Sequence, residues 1–277
     1  MVLNNSDNYA ITQYDVLIGG ASNQITSITP STSGLALASN GTATNPSFQI
    51  IPVGFAYIEQ VFTGSGTYTP TTGMIYADIE VWGAGGGGAG VAASSSSVIS
   101  AGGGGGAGGY ARKLVSAATI GSSQTVTIGA AGAAGAATNS GTGGTGGTTS
   151  VGSIVSATGG VGGTTTAGAV AIANSGGAGG AGASGDFNTT GDPGGSGWGY
   201  CYGPPAQIAI AGSGAHGFYG GAPITMGSAV TSASSTGQTG TSYAAGGSGA
   251  YSTPSGSAQV GGAGSAGLII ITEYLKS

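Results

Sequence analysis

The stretch QTVTIGAAGAAGAATNSGTGGTGGTT, residues 124–149, places glycine at 129, 132, 135, 141, 144 and 147, every third position in two short tracts. A period of three belongs neither to the α-helix nor to the β-strand. It is the period of the extended polyproline-II class of helix, where glycine at each third position lets one backbone pack directly against another. The phase returns at Gly176, Gly179, Gly182 and Gly185, and at Gly261, Gly264 and Gly267. These glycines read as architectural. Collagen, the familiar owner of this period, needs an unbroken register and abundant proline, whereas these tracts stop after a few triplets and the chain has 9 prolines. The tracts must therefore fold back on one another within one domain.

Working outward, 64 of 277 residues are glycine, only 3 are Lys or Arg and 8 are Asp or Glu, and none of these charges lies between Lys113 and Asp186. Disordered chains combine low hydrophobicity with high charge, but this one has 39% apolar residues and a mean hydropathy of +0.25. Ordering a residue costs roughly 1–2 kcal/mol, and glycine loses the most freedom. Glycine also buries no side chain, so compensation has to come from backbone amides and carbonyls satisfied by neighbouring segments and from dense dispersion contacts. The expectation is an all-β protein in which short strands frame stacked polyglycine-II-type helices.

Alternation of apolar and polar residues marks the strands. Ile75, Ala77, Ile79 and Val81 face one way while Tyr76, Asp78, Glu80 and Trp82 face the other. Further strands are expected at 110–116, 124–129, 150–157, 168–173, 206–211 and 267–274. Residues 1–60 have few glycines and read as a small β-rich unit, with strands at 13–19, 23–28 and 47–52, too small to be stable alone. Residues 61–277 form the glycine-rich domain. The amino-terminal MVLNNSDNYAI has neither the basic nor the apolar region of a secretory signal, and the run 268–271 is far too short to span a membrane. Three basic residues and a pI near 4.2 exclude the electrostatic footprint of a nucleic-acid binder. One cysteine, Cys201, and one histidine, His216, give neither a disulfide framework nor a structural zinc site.

The order TGSGTYTPTTGMIYADIEVWGAGGGGAG (63–90), GGGGGAGGYARKLV (102–115), QTVTIGAAGAAG (124–135), GGTTSVGSIVSATGGVGG (146–163) and GGAGSAGLIIITEY (261–274) resembles the glycine-rich domain of bacteriophage tail and tail-fibre proteins. The upstream stretch QYDVLIGGASNQITSITPSTSGLALASNGTATNPSFQ (13–49) is similar to a β-rich repeat of tail-fibre-like proteins. The resemblance implies a virion component, often trimeric, joined to other tail-fibre subunits. In related fibre-tip adhesins it implies a rigid polyglycine core whose intervening loops contact the host surface. On this chain the scaffold motifs would be 83–88, 102–106, 159–163, 176–182 and 261–264.

If loops recognise a host, residues 186–221 stand out. Phe187, Trp198, Tyr200, Tyr202, His216, Phe218 and Tyr219 gather there in a chain otherwise poor in large side chains. Aromatic rings offer flat faces to sugars, and Tyr and Trp add a polar handle, so an exposed cluster suits a host glycan or outer-membrane protein. The competing reading makes these rings filler where the glycine lattice ends.

Catalysis finds little support. Gly83, Gly85 and Gly88 match the dinucleotide pattern G-x-G-x-x-G after a strand, but no amphipathic helix follows, and the next acidic residue after Glu80 is Asp186. Asp186 and Asp192 could be imagined as a glycosidase pair, but loop aspartates are commoner as turn residues. Neither an enzyme nor a cofactor is expected. Asp78 and Glu80 are expected to pair with Arg112 or Lys113 across strands. Three classes remain open: a receptor-binding tail-fibre module, favoured as a homotrimer in the virion; a self-assembling extracellular or virion filament; and an ice-binding protein, for which GTGGTGGTT supplies a threonine-rich face.

Overall fold

The computed structural model describes residues 16–19, 25–29, 35–40, 45–49, 56–203, 206–218, 220, 223 and 227–276. The chain divides into two compact units, Met1–Phe55 and Ala56–Lys276. Within the first, Val16–Gly19 pairs with Ile25–Ile28 and Ala36–Ala38 pairs with Ser47–Gln49, all antiparallel. Among the described residues the fold is all-β, as the alternation implies, with one short helix at Ala117–Ile120.

The larger unit rests on a five-stranded antiparallel sheet in the order Phe187–Thr189, Tyr110–Ser116, Met74–Trp82, Leu268–Leu275, Ala56–Phe62. Its inner face carries Ala77, Ile79, Val81, Ala111, Val115, Ile269 and Ile271, all buried, against Val126, Val151 and Val155 of a second sheet. The expected strand at 150–157 is a hairpin instead. Thr149–Val151 turns back on Val155–Ala157, with Gly152 at φ +49° supplying the left-handed conformation that the turn requires. Residues 168–170 precede the strand Ala171–Asn174, and Ala56–Phe62 was not legible in the sequence because only Phe62 at its end packs against the core while Tyr57, Ile58 and Val61 are exposed.

Between Trp82 and Leu268 the chain builds a lattice of extended tracts that are neither α-helix nor β-strand. In tract 83–91, Gly83, Gly86 and Ala89 donate to the carbonyls of Gly109, Gly106 and Gly103. Ala84, Gly87 and Gly90 donate to Gly147, Gly144 and Gly141, and Gly85, Gly88 and Val91 to Ser265, Gly262 and Gln259. The same tract accepts from Gly160 and Gly163, from Gly132 and Gly135, and from Gly247 and Ala250. Donors recur every third residue toward each of three neighbours, and acceptors face three others, so the tract sits at the centre of a hexagon. This is the bonding of a three-residue-per-turn helix.

Tract 102–109 is a second centre. It donates to 244–250, 158–164 and 192–195, and accepts from the first centre, from Gly177 and Gly180, and from Gly212 and Ala215. The surrounding tracts also bond to one another: Gly143 to Gly163, Gly144 to Ala133, Gly264 to Gly132, Gly262 to Ser248, Val161 to Ala178, Gly194 to Gly177, Gly195 to Ser213 and Gly249 to Gly212. Two fused hexagons close completely. Successive tracts run in alternating directions, so their connections fall at two opposite ends, which at about 3.1 Å per residue lie roughly 25 Å apart. The end holding the five-stranded sheet is called the base, and the other the tip.

Why the centres need glycine follows from this enclosure. A Cβ on Gly85 would lie 1.9 Å from the carbonyl oxygen of Ala245, and one on Gly88 2.0 Å from that of Ser248. Outer tracts need glycine only where they face inward, and this is the source of the triplet phase. Gly129, Gly132 and Gly135 are buried, whereas Ala130, Ala131, Ala133 and Ala134 are exposed. The tract expected at 176–185 ends sooner, because Gly182–Ala183 joins the strand Val155–Ala157 and Ser184 takes a positive φ.

Candidate recognition surfaces

At the tip, Gly197–Cys201 is a central strand of the sheet ordered Ala171–Asn174, Gly197–Cys201, Gln207–Ile210, Gly227–Ser228. Alternation divides its residues sharply. Gly197, Gly199 and Cys201 are buried, and a Cβ on Gly199 would meet the Ile99 Cδ1 at 2.5 Å, so the sheet lies close on the lattice end. Trp198 and Tyr200 point the other way and remain 45% and 39% exposed. In register beside them stand Ala173 and Ile210 next to Trp198, and Ala171 and Ile208 next to Tyr200. Tyr202, 74% exposed, packs its ring 5.5 Å from that of Tyr200 at a 33° tilt. The result is an apolar platform of one indole, two phenols and two isoleucines.

The remaining members of the expected cluster lie at the base. Phe187 pairs in register with Arg112 and sets its ring 6.1 Å from Tyr110. Phe218 packs on Trp82 at a 44° tilt with centroids 4.1 Å apart, and Trp82 in turn lies 4.9 Å from Tyr110. His216 Nδ1 stands 4.0 Å from the Asp192 carboxylate, both side chains largely exposed. Residues 186–221 are thus divided between opposite ends rather than gathered at one, because the chain traverses the lattice twice between Asp186 and Phe218. Tyr219 lies outside the described residues.

A cavity of about 400 Å³ opens between the base aromatics, lined by Glu80, Trp82, Tyr110, Asp192, His216 and Phe218 among others. Tyr110 donates to Glu80 Oε1 at 2.5 Å; burial first, then this bond, raises its pKa above the ordinary tyrosine range. Trp82, Tyr110 and Glu80 were legible only as strand residues, although alternation already set Trp82 and Glu80 on the face away from Ile79.

Other candidates have structural roles. Arg112 grips Asp78 through Nε at 3.0 Å to both carboxylate oxygens and through Nη2, the cross-strand pairing expected of these charges. Asp186 accepts the Leu114 amide at 3.0 Å. Cys201 is buried against Ile99, Ala209 and Tyr251. Gly83, Gly85 and Gly88 belong to the first lattice centre, where no phosphate could approach. Among the described residues, no group of three His, Cys, Asp or Glu side chains stands close enough to hold a metal ion.

The model of a family of glycine-rich domains matches residues 60–274, almost all of the larger unit. No curated protein matches the chain.

Proposed function

We propose that this chain, which belongs to the glycine-rich domain family, is a non-enzymatic receptor-binding component of a bacteriophage tail fibre, acting as a homotrimer in the virion and held there by other tail-fibre subunits. The lattice is the rigid mount, and the tip platform of Trp198, Tyr200 and Tyr202 binds a host cell-surface glycan or outer-membrane protein. One observation carries this reading: large aromatic rings are held in the open on a sheet whose other face is sealed to the lattice, where filler would be buried. Aromatic anchors of this kind contribute about 2–4 kcal/mol each at interfaces. Adsorption of labelled protein to a panel of bacterial strains tests it. Trp198→Ala and Tyr202→Ala should weaken adsorption at least about thirtyfold; undiminished adsorption would remove the platform from the receptor site. Sedimentation that finds only monomer at micromolar concentration would remove the trimer.

A second reading, ice binding, has its own observation. Tracts 141–147, 158–164 and 175–181 are adjacent, and the outer two flank different centres, so the three form one straight row of the hexagonal array. Thr142, Thr145 and Thr148, Thr158, Val161 and Thr164, and Ser175, Ala178 and Ala181 are exposed along it at three-residue intervals. This is a flat, charge-free, regularly spaced surface. Measurable thermal hysteresis, abolished by Val161→Arg, would favour it over the tail-fibre reading; the open filament reading would instead require concentration-dependent polymer growth.

A further inference from the structure

We propose that the base cavity is a binding site for an organic cation, an alkylammonium head on a short apolar stem such as a lysine side chain presents. It is independent of the tip platform and stands about 25 Å from it by the length of the tracts. Three features of the cavity select this ligand.

The first is the balance of charge. Glu80 and Asp192 bring two carboxylates to the lining, and no Lys or Arg lines it. Arg112, on the strand next to Glu80, is committed to Asp78 by a two-pronged contact. His216 is the other titratable nitrogen at the rim, and its Nδ1 already faces Asp192. In a chain with a formal net charge of −5, the field around this mouth attracts cations.

The second is the wall. Trp82, Tyr110 and Phe218 pack into one aromatic wall, their rings tilted 43° and 44° to the indole with centroids 4.9 Å and 4.1 Å away, and the half-buried Tyr110 and Phe218 present more open rings than the 7% exposed indole. Such faces carry negative quadrupole potential and attract ammonium groups within about 6 Å, while accepting an alkyl stem by dispersion.

The third is the hydrogen-bond inventory. Ionised carboxylates only accept, the Tyr110 hydroxyl spends its single proton on Glu80 and the Thr189 hydroxyl spends its own on the Thr190 carbonyl, which leaves the exposed Thr190 and His216 as side-chain donors at the rim. A cavity rich in acceptors and aromatic faces is completed by a ligand that donates and is positively charged. A sugar, which brings as many acceptors as donors, matches it less well.

The test uses the full chain carrying Trp198→Phe, so that Trp82 is the sole indole. Titration with pentylammonium chloride at constant ionic strength should give a saturable fluorescence change, half-complete at millimolar concentration. Asp192→Asn, at a largely exposed position, should weaken it about threefold or more, and Glu80→Gln about tenfold. Pentanol at the same concentrations should give no comparable saturation. Equal responses to pentanol and pentylammonium would reduce the cavity to an apolar patch and overturn the proposal. So would the absence of any Trp82 response, saturation by methyl glucoside but not by the amine, or an unchanged affinity in folded Asp192→Asn. Tip-dependent cell adsorption by the parent protein, with Trp198 intact, alongside a failed titration of the Trp198→Phe chain would leave the receptor reading standing and this one refuted.

Discussion

Trp82 and Leu268 are register partners in antiparallel strands, so the last residue before the lattice stands beside the first residue after it. Everything from Gly83 to Gly267 is in effect one elaborate connection between two neighbouring strands. Because its tracts satisfy one another's backbones, no tract can form without the rest, and the larger unit should unfold in a single cooperative step.

That cooperativity makes the centres intolerant of a single methyl group. A Cβ on Gly87 would stand 1.9 Å from the Ala133 carbonyl oxygen, whereas one on Gly64 meets nothing within 4 Å. Gly87→Ala is expected to cost more than about 4 kcal/mol and to abolish soluble folding, and Gly64→Ala to change stability by less than about 0.5 kcal/mol. Thermal denaturation followed by circular dichroism compares them; a folded Gly87→Ala with near-native Tm would refute the close packing.

Beneath the lattice, Glu273 is fully buried and is kept there by its donors. Tyr68 bonds its Oε1 at 2.7 Å, Gln60 at 3.1 Å and the Thr71 amide at 3.1 Å. Glu273→Ala leaves these groups unpaired and opens a void, so a loss of about 3–5 kcal/mol is expected, against about 1–3 kcal/mol for Tyr68→Phe. Chemical denaturation measures both, and equal small losses would mean that water substitutes freely for the carboxylate.

Alkali should destabilise the fold through two phenols. Burial first, then the bond to Glu273, pushes the Tyr68 pKa well above its ordinary value, and burial then Glu80 do the same for Tyr110. The stability these shifts supply is fully present below about pH 10, where unfolded tyrosines begin to ionise, and is lost as pH rises above it. Tyr68→Phe should therefore flatten the fall in Tm as pH rises through about 10; a slope equal to that of the parent would remove Tyr68 as its cause.

The two ends should answer aromatic truncation differently. Trp82 is only 7% exposed and packs with Leu268, Ala244 and Phe218, so Trp82→Ala should cost about 3–5 kcal/mol. Trp198→Ala and Tyr202→Ala, on open surface, should stay within about 1 kcal/mol of the parent. Differential scanning calorimetry decides, and early unfolding of the tip variants would turn the platform into filler.

Much of the framework was legible because its physics is local. Ile79 and Trp82 declare opposite faces by alternation, and Gly129, Gly132 and Gly135 declare an inward edge by phase. What could not be read was lattice position. Gly86 and Gly144 are both glycine, yet one sits among six tracts and the other on a rim, a distinction set by partners far away in sequence. The same blindness merged Trp198 with Phe218. Twenty residues apart in the chain, they are carried to opposite ends by the tract 212–215, whose length in space exceeds what its few residues suggest to a reader thinking of compact loops.

The alternating direction of the tracts imposes a parity rule. The chain starts its lattice at the base and must return there, since Leu268 has to find Trp82. One extra crossing would strand the final β-strand at the tip and leave Ile79 and Val81 without their partner. Descendants of this architecture can therefore lengthen, shorten or exchange the connections at either end one at a time, but they can gain or lose crossings only in twos.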